Sequence, residues 1–204
     1  MLRVWPLVLI LCLACAGCTV NEVIVAEETE LVVADEPIEE SRLLDVGVVE
    51  FKPGLREDND SRDTGVYEEI RLAETKYLAY HLKTTLQGTG HWGAVRVIPS
   101  RQAFTDVIIS GDIEKSDGEY VVLNITVEDA AGRHWYDKEY ETQTGVTSYS
   151  DRRDRRLDPY QKVFNDIAND LYEYAAQLPP KQLQQTRQVS ELKFFADMSP
   201  LAYS

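Results

Sequence analysis

The segment DVIISGDIEKSDGEYVVLNITVEDAAGRHWYDKEYET, residues 106–142, decides the fold. It reads as three consecutive strands, DVIISGDIE, EYVVLNITVED and RHWYDKEYET. Ser116-Asp117-Gly118 joins the first two and is a strong hairpin signal. Ala131-Gly132 joins the next two. Short polar connections of this kind make an antiparallel meander.

Working outward, RLLDVGVVEF from Arg42 reads as a Val- and Leu-rich strand ending at Pro53-Gly54. After a polar loop, VYEEIRLAETKYLAYHLKTTLQ reads as a long helix. The expected buried side of this helix carries Tyr67, Ile70, Tyr77, Leu78, His81, Leu82, Thr85 and Leu86. Gly88 and Gly90 stop it. AVRVIP is a further strand. Downstream of the meander, Asp158 and Pro159 open a second helix. Its stripe is Val163, Phe164, Ile167, Leu171, Ala175 and Leu178, and Pro179-Pro180 ends it. KQLQQTRQVSELKFFADM is helical again. The expected class is α+β: a mixed sheet in the order β-α-β-β-β-β-α, two helices on one face, and a C-terminal helical extension.

The N-terminus has a different character. All three cysteines fall at 12, 15 and 18, too close together for a disulfide framework spread along a domain. A positive start, MLR, precedes VWPLVLILCLA and then the small residues CAGC. This is the layout of an export signal, and the apolar run is too short to cross a bilayer. Ala16-Gly17-Cys18 resembles the lipobox of bacterial lipoproteins, with Cys15 where Leu is usual. The resemblance implies cleavage after Gly17 and acylation of Cys18, with palmitate-type chains sufficient for stable anchoring. A box ending at Cys15 and a simple secretory signal are the alternatives. Thr19, where an Asp would favour the inner membrane, implies the outer membrane.

Residues 19–41 contain eight acids, no base, and Pro37. They read as a repelling, extended tether, with a short strand as the alternative. The expected organisation is therefore a signal over 1–17, a lipidated acidic tether over 18–41, a periplasmic domain over 42–178 and a helical extension over 179–204. The whole chain carries −14. Removing 1–17 removes only Arg3 among the charges and leaves −15. That balance argues against nucleic acid and against anionic lipid as broad partners.

Three segments carry a resemblance: DVGVVEF, the helix ending before HWGAVRVIP, and the meander with its D-A-x-G turn. Together they are similar to the periplasmic α+β domains of the TolB N-terminal, CsgG and LpoB type, over about residues 44–178. WGAVRV is also similar to a segment of proteobacterial envelope lipoproteins. These families imply binding of envelope proteins or oligomerisation, not a shared enzyme activity, and fold likeness does not choose between those tasks.

Tests for chemistry give little. Asp58, Asp60 and Glu69 sit at calcium-loop spacing, but Arg62 and Asp63 occupy positions that break the pattern. His81, His91 and His134 lack metal-ligand spacing. His81 reads as a core histidine, and the other two as edge or turn residues. Ser110 reads as mid-strand rather than as an exposed nucleophile. The most concentrated basic feature is DRRDRR. Arg152, Arg153, Arg155 and Arg156, flanked by Tyr149 and Tyr160, form either a solvated, self-paired loop or a docking site for an acidic partner. The expectation is a non-catalytic outer-membrane lipoprotein that faces the periplasm, needs no cofactor or metal, and acts as a protein-binding adaptor in envelope assembly or maintenance. The alternative is a subunit of an oligomeric outer-membrane channel or secretion apparatus.

Overall fold

The computed structural model describes residues 29–54, 67–101, 104–143 and 160–199. Its architecture is α+β. Strand β1 (Val46–Val49) leads through α1 (Glu68–Thr89) to β2 (Val95–Ile98). The meander β3 (Val107–Ser116), β4 (Tyr120–Asp129) and β5 (His134–Gln143) follows, then α2 (Gln161–Gln177) and α3 (Pro180–Met198). The five strands order as β2-β1-β3-β4-β5. β1 is parallel to both β2 and β3, and the rest of the sheet is antiparallel.

The chemistry of each element explains this arrangement. In β4, Val121, Leu123, Ile125 and Val127 are buried, and the residues between them are half-buried. That period of two places one face on a core and the other toward solvent. Asp117 Oδ1 accepts from the amides of Glu119 and Tyr120, fixing the β3–β4 turn. α1 and α2 cover the buried face. α2 inserts Val163, Phe164, Ile167 and Leu171, all fully buried, while Ala175 and Leu178 pack partly against the same core. α1 ends on Gly90, whose φ of +70° is the left-handed conformation that closes a helix.

The face of α1 departs from the expectation. Leu78, Leu82, Thr85 and Leu86 are buried, but Tyr67, Ile70 and Tyr77 are exposed. The sheet lies under one side of the helix, and the broad apolar arc of the sequence exceeds what that contact can cover. His81 lies half-buried between the Tyr77 and Phe164 rings.

The path from β2 to β3 must step over β1, because β3 pairs on the far side of β1 from β2. Gly47 marks the crossing. A Cβ there would meet Ile98 Cδ1 at 2.6 Å and Thr105 Oγ1 at 2.8 Å. Arg101 in this crossing donates to Ser110 Oγ at 2.5 Å and to Glu128 Oε2 at 3.2 Å, holding it to β3 and β4. Ser110 is thus mid-strand with its hydroxyl engaged.

Residues 29–34, read from sequence as tether, lie along the helices. Asn169 on α2 accepts from the Val32 amide and donates to the Glu30 carbonyl, both at 2.9 Å. Asn165, one turn earlier, donates to the Thr29 carbonyl at 2.7 Å. The Ala34 amide donates to the Thr89 carbonyl at 2.8 Å. Leu31 packs against the core, while Glu30, Asp35 and Glu36 are exposed. The acids that suggested a solvated tether are solvated here too. The backbone and one leucine make the contact.

Candidate docking cleft

α3 is docked differently from α1 and α2. Its buried side chains are Thr186 and Ser190. Toward its C-terminus it carries Phe194 (45% exposed), Phe195 (53%) and Met198 (66%). The helix therefore buries hydroxyls where a surface helix usually buries a stripe of apolar side chains, and it leaves its phenylalanines about half exposed.

Two buried carboxylates at one end of the sheet receive it. Asp129 closes β4. Its Oδ1 accepts from the amides of Ala131 and Arg133, which shapes the β4–β5 turn. Its Oδ2 accepts from Arg133 Nε at 2.7 Å, Trp135 Nε1 at 3.3 Å and Thr186 Oγ1 at 3.1 Å. Burial alone would raise this carboxyl's pKa. The side-chain and backbone hydrogen bonds from Arg133, with that from the Trp135 indole, outweigh burial and hold it below the ordinary carboxylate range. Asp106, just before β3, accepts from the Asp45 amide at 2.8 Å and from the Ser190 hydroxyl. Arg133 also reaches α3 directly, donating to Gln185 Oε1, the Gln182 carbonyl and Thr186 Oγ1.

Between α3 and the starts of β1 and β2 lies a cleft of about 810 Å³. Trp92, Phe104, Phe194 and Phe195 supply its aromatic surface. Phe104 meets Phe194 edge to face, with ring centroids 6.0 Å apart. Arg96, Arg187, Glu40 and Glu191 supply its charges. Arg187 donates to the Ser41 carbonyl, tying α3 to the one-turn 3-10 helix Glu40–Arg42. Arg96 pairs with Asp45 at 3.5 Å. A concave surface of mixed charge with aromatic anchors is suited to holding a chain segment, since Phe, Trp and Arg carry much of the energy at protein interfaces.

A second polar group lies under β5. Asp170 on α2 accepts from Lys138 Nζ at 2.5 Å and from the Tyr140 hydroxyl at 2.7 Å. Burial raises the phenol pKa of Tyr140 and of neighbouring Tyr136, so both phenols stay protonated, and Tyr140 is the one that donates to Asp170. This arrangement pins α2 to the edge strand.

The sequence-derived candidates fall elsewhere. Cys18, Tyr149 and Arg152, Arg153, Arg155 and Arg156 lie outside the described residues, as do Asp58, Asp60, Arg62 and Asp63 of the calcium-like loop. Tyr160 is half-buried at the start of α2 and packs against the core. His91 stacks on Tyr172 with centroids 3.8 Å apart, and burial lowers its pKa. His134 opens β5 and contacts Asp137 at 3.0 Å. Among the described residues no group of three or more His, Cys, Asp or Glu is arranged to hold a metal ion, and no helix is long and apolar enough to cross a membrane. Sequence reasoning missed the cleft. Its one available signal was ELKFFADM, whose adjacent phenylalanines do not fit a single buried stripe.

No family model and no curated protein matches the chain. Solved structures with a similar chain path include a PelC dodecamer from Paraburkholderia phytofirmans, at 16% identity, covering 72% of this chain and 90% of that one, with a TM-score of 0.35. They also include a neuraminyllactose-binding hemagglutinin homolog from Helicobacter pylori, at 12% identity, covering 81% and 99%, with a TM-score of 0.36. Both likenesses are distant, and neither bears on what this chain binds.

Proposed function

We propose that the chain is a lipid-anchored outer-membrane lipoprotein, held through Cys18 and facing the periplasm, whose folded unit binds a second envelope protein and catalyses no reaction. The single observation that carries the binding part is that α3 buries hydroxyls and leaves Phe194 and Phe195 about half exposed at the edge of the cleft. Contiguous exposed apolar surface on a folded protein marks an interaction site more often than chance. Here it borders a cleft with its own aromatic floor. The anchoring part is supported by the N-terminal residues MLR, the apolar run and Ala16-Gly17-Cys18. The similarity of residues 44–178 to the TolB, CsgG and LpoB type of domain belongs to the same proposal.

A second reading, association of copies of this chain in a larger assembly, is favoured by a separate surface. Ile70, Tyr77 and Tyr80 on α1 are each about half exposed or more. Two distinct apolar patches on one chain meet the geometric condition for head-to-tail association.

Site-specific photocrosslinking in intact cells separates the two. A photoreactive residue at Phe195 is expected to give one discrete adduct with a different envelope protein. An adduct between copies, from Tyr80 as well as Phe195, would support the assembly instead. A lipidated, folded chain that gives no adduct from Phe195 would overturn the adaptor reading.

A further inference from the structure

We infer that α3 is a movable wall of the cleft, a helix that undocks as a unit about Leu178–Pro180 while the sheet, α1 and α2 stay folded. The consequence for partner binding rests on the adaptor reading. The mobility does not.

What holds α3 in place is of a different kind from what holds its neighbours. α1 and α2 bury rows of leucine, isoleucine and phenylalanine, and their removal would expose the core. α3 buries two hydroxyl-bearing side chains, with Leu183 partly buried near its start. Among the described residues its other ties include the three hydrogen bonds from Arg133, the Thr186–Asp129 and Ser190–Asp106 bonds, the Arg187–Ser41 bond and the Phe104–Phe194 ring contact. A hydrogen bond that can be exchanged for one to water contributes little net stability. Apolar contacts, which cannot be so exchanged, are those of partly buried Leu183 and of Phe194 on Phe104, against the five fully buried side chains of α2.

The receiving groups do not depend on α3. Without Thr186, Asp129 still accepts from two backbone amides, from Arg133 Nε and from the Trp135 indole. Without Ser190, Asp106 still accepts from the Asp45 amide. Undocking therefore strands no buried charge, and the large penalty for an unpaired buried carboxylate does not arise.

The hinge is built into the chain. Leu178 closes α2 by donating its backbone N–H to the Ala175 carbonyl. Pro179 has no amide hydrogen to continue the helix, and Pro180 starts α3 at its first position. Both Leu178 and Pro179 are extended, so the two helices share no hydrogen-bonded backbone across the break.

The moving helix brings its share of the cleft with it: Arg187, Ser190, Glu191, Phe194 and Phe195. A partner that touches Phe195 on α3 and Phe104 on the sheet side binds the docked state only. Binding and docking are then coupled, and each favours the other.

Native-state hydrogen exchange on the full mature chain in detergent micelles, without partner, tests this. Amides of residues 184–197 should exchange through an opening at least about tenfold more populated than the one that exposes α2, with weak dependence on denaturant because little surface is uncovered. Thr186→Val keeps the shape and removes the hydroxyl between Arg133 and Asp129. It should speed exchange in α3 by a further factor of about ten or less and leave α2 unchanged. If wild-type α3 and α2 exchange with the same protection and the same denaturant dependence, α3 is part of the core and the inference is wrong. If α3 opens as expected but Phe195 finds no partner, the adaptor reading fails and the movable wall stands.

Discussion

Asn169→Ala should release the segment that joins the folded unit to its proposed lipid. In the structure this one side chain accepts from the Val32 amide and donates to the Glu30 carbonyl, so it acts as a bridge to the strap's backbone. Removing it costs two hydrogen bonds at a half-exposed site. At about 0.5–1 kcal/mol each, the loss is about 1–2 kcal/mol. For a chain of this size each kcal/mol lowers Tm by about 2–4 °C, so a fall of about 2–8 °C is expected. Asn169→Asp keeps the acceptor and loses the donor, and should fall between the variant and wild type. Thermal unfolding gives the magnitude, and hydrogen exchange at Val32 and Ala34 locates it. The functional consequence is reach. With the strap docked, the eleven residue steps from Cys18 to Thr29 span at most about 40 Å. With it released as far as Arg42, the span rises to about 80 Å. If Asn169→Ala unfolds within 1 °C of wild type and the Val32 and Ala34 amides exchange no faster, the strap contributes nothing to the fold and this reasoning is refuted.

Two further outcomes are expected. Asp129 has its carboxyl pKa held below the unfolded value, so its stabilising contribution is complete above the ordinary carboxylate range and is lost as pH falls through its folded pKa; urea midpoints measured from pH 7 down to pH 2.5 should drop less steeply in Asp129→Asn, which starts lower, than in wild type. Cys18→Ser should take up no labelled fatty acid and should leave the membrane fraction, whereas Cys15→Ala should retain both properties; label on Cys18→Ser would move the processing site elsewhere.

The meander was legible because its signals are local. Asp117-Gly118 and Ala131-Gly132 punctuate the strands, the inward residues of β4 alternate, and β3–β5 follow these signals closely. The parallel pairing of β1 with β2 was legible from the long helix between them. The pairing of β3 on the other side of β1 was not. It depends on Gly47 leaving room for Ile98 and Thr105, a contact between residues about fifty positions apart. The strap was hidden for a related reason. Asn165 and Asn169 bind backbone, and backbone contacts leave no pattern in the strap's own residues. Asp106 and Asp129 were hidden by abundance, since a chain with 35 acids offers no hint that these are buried. On α1, the helical spacing of Tyr67, Ile70 and Tyr77 was read as core. Spacing alone does not distinguish a residue that faces a sheet from one that faces a partner.

If the cleft edged by α3 holds another envelope protein, recovery of that protein should depend on Phe194 and Phe195. The comparison is between what co-purifies with the wild-type protein and with Phe194→Ser/Phe195→Ser from solubilised membranes. Both side chains are exposed, so the double variant should keep its fold, its lipid and its membrane location. One protein recovered with wild type should fall by at least about tenfold with the variant, as expected when aromatic anchors are removed from an interface. Equal recovery of every companion protein by the two forms would contradict it.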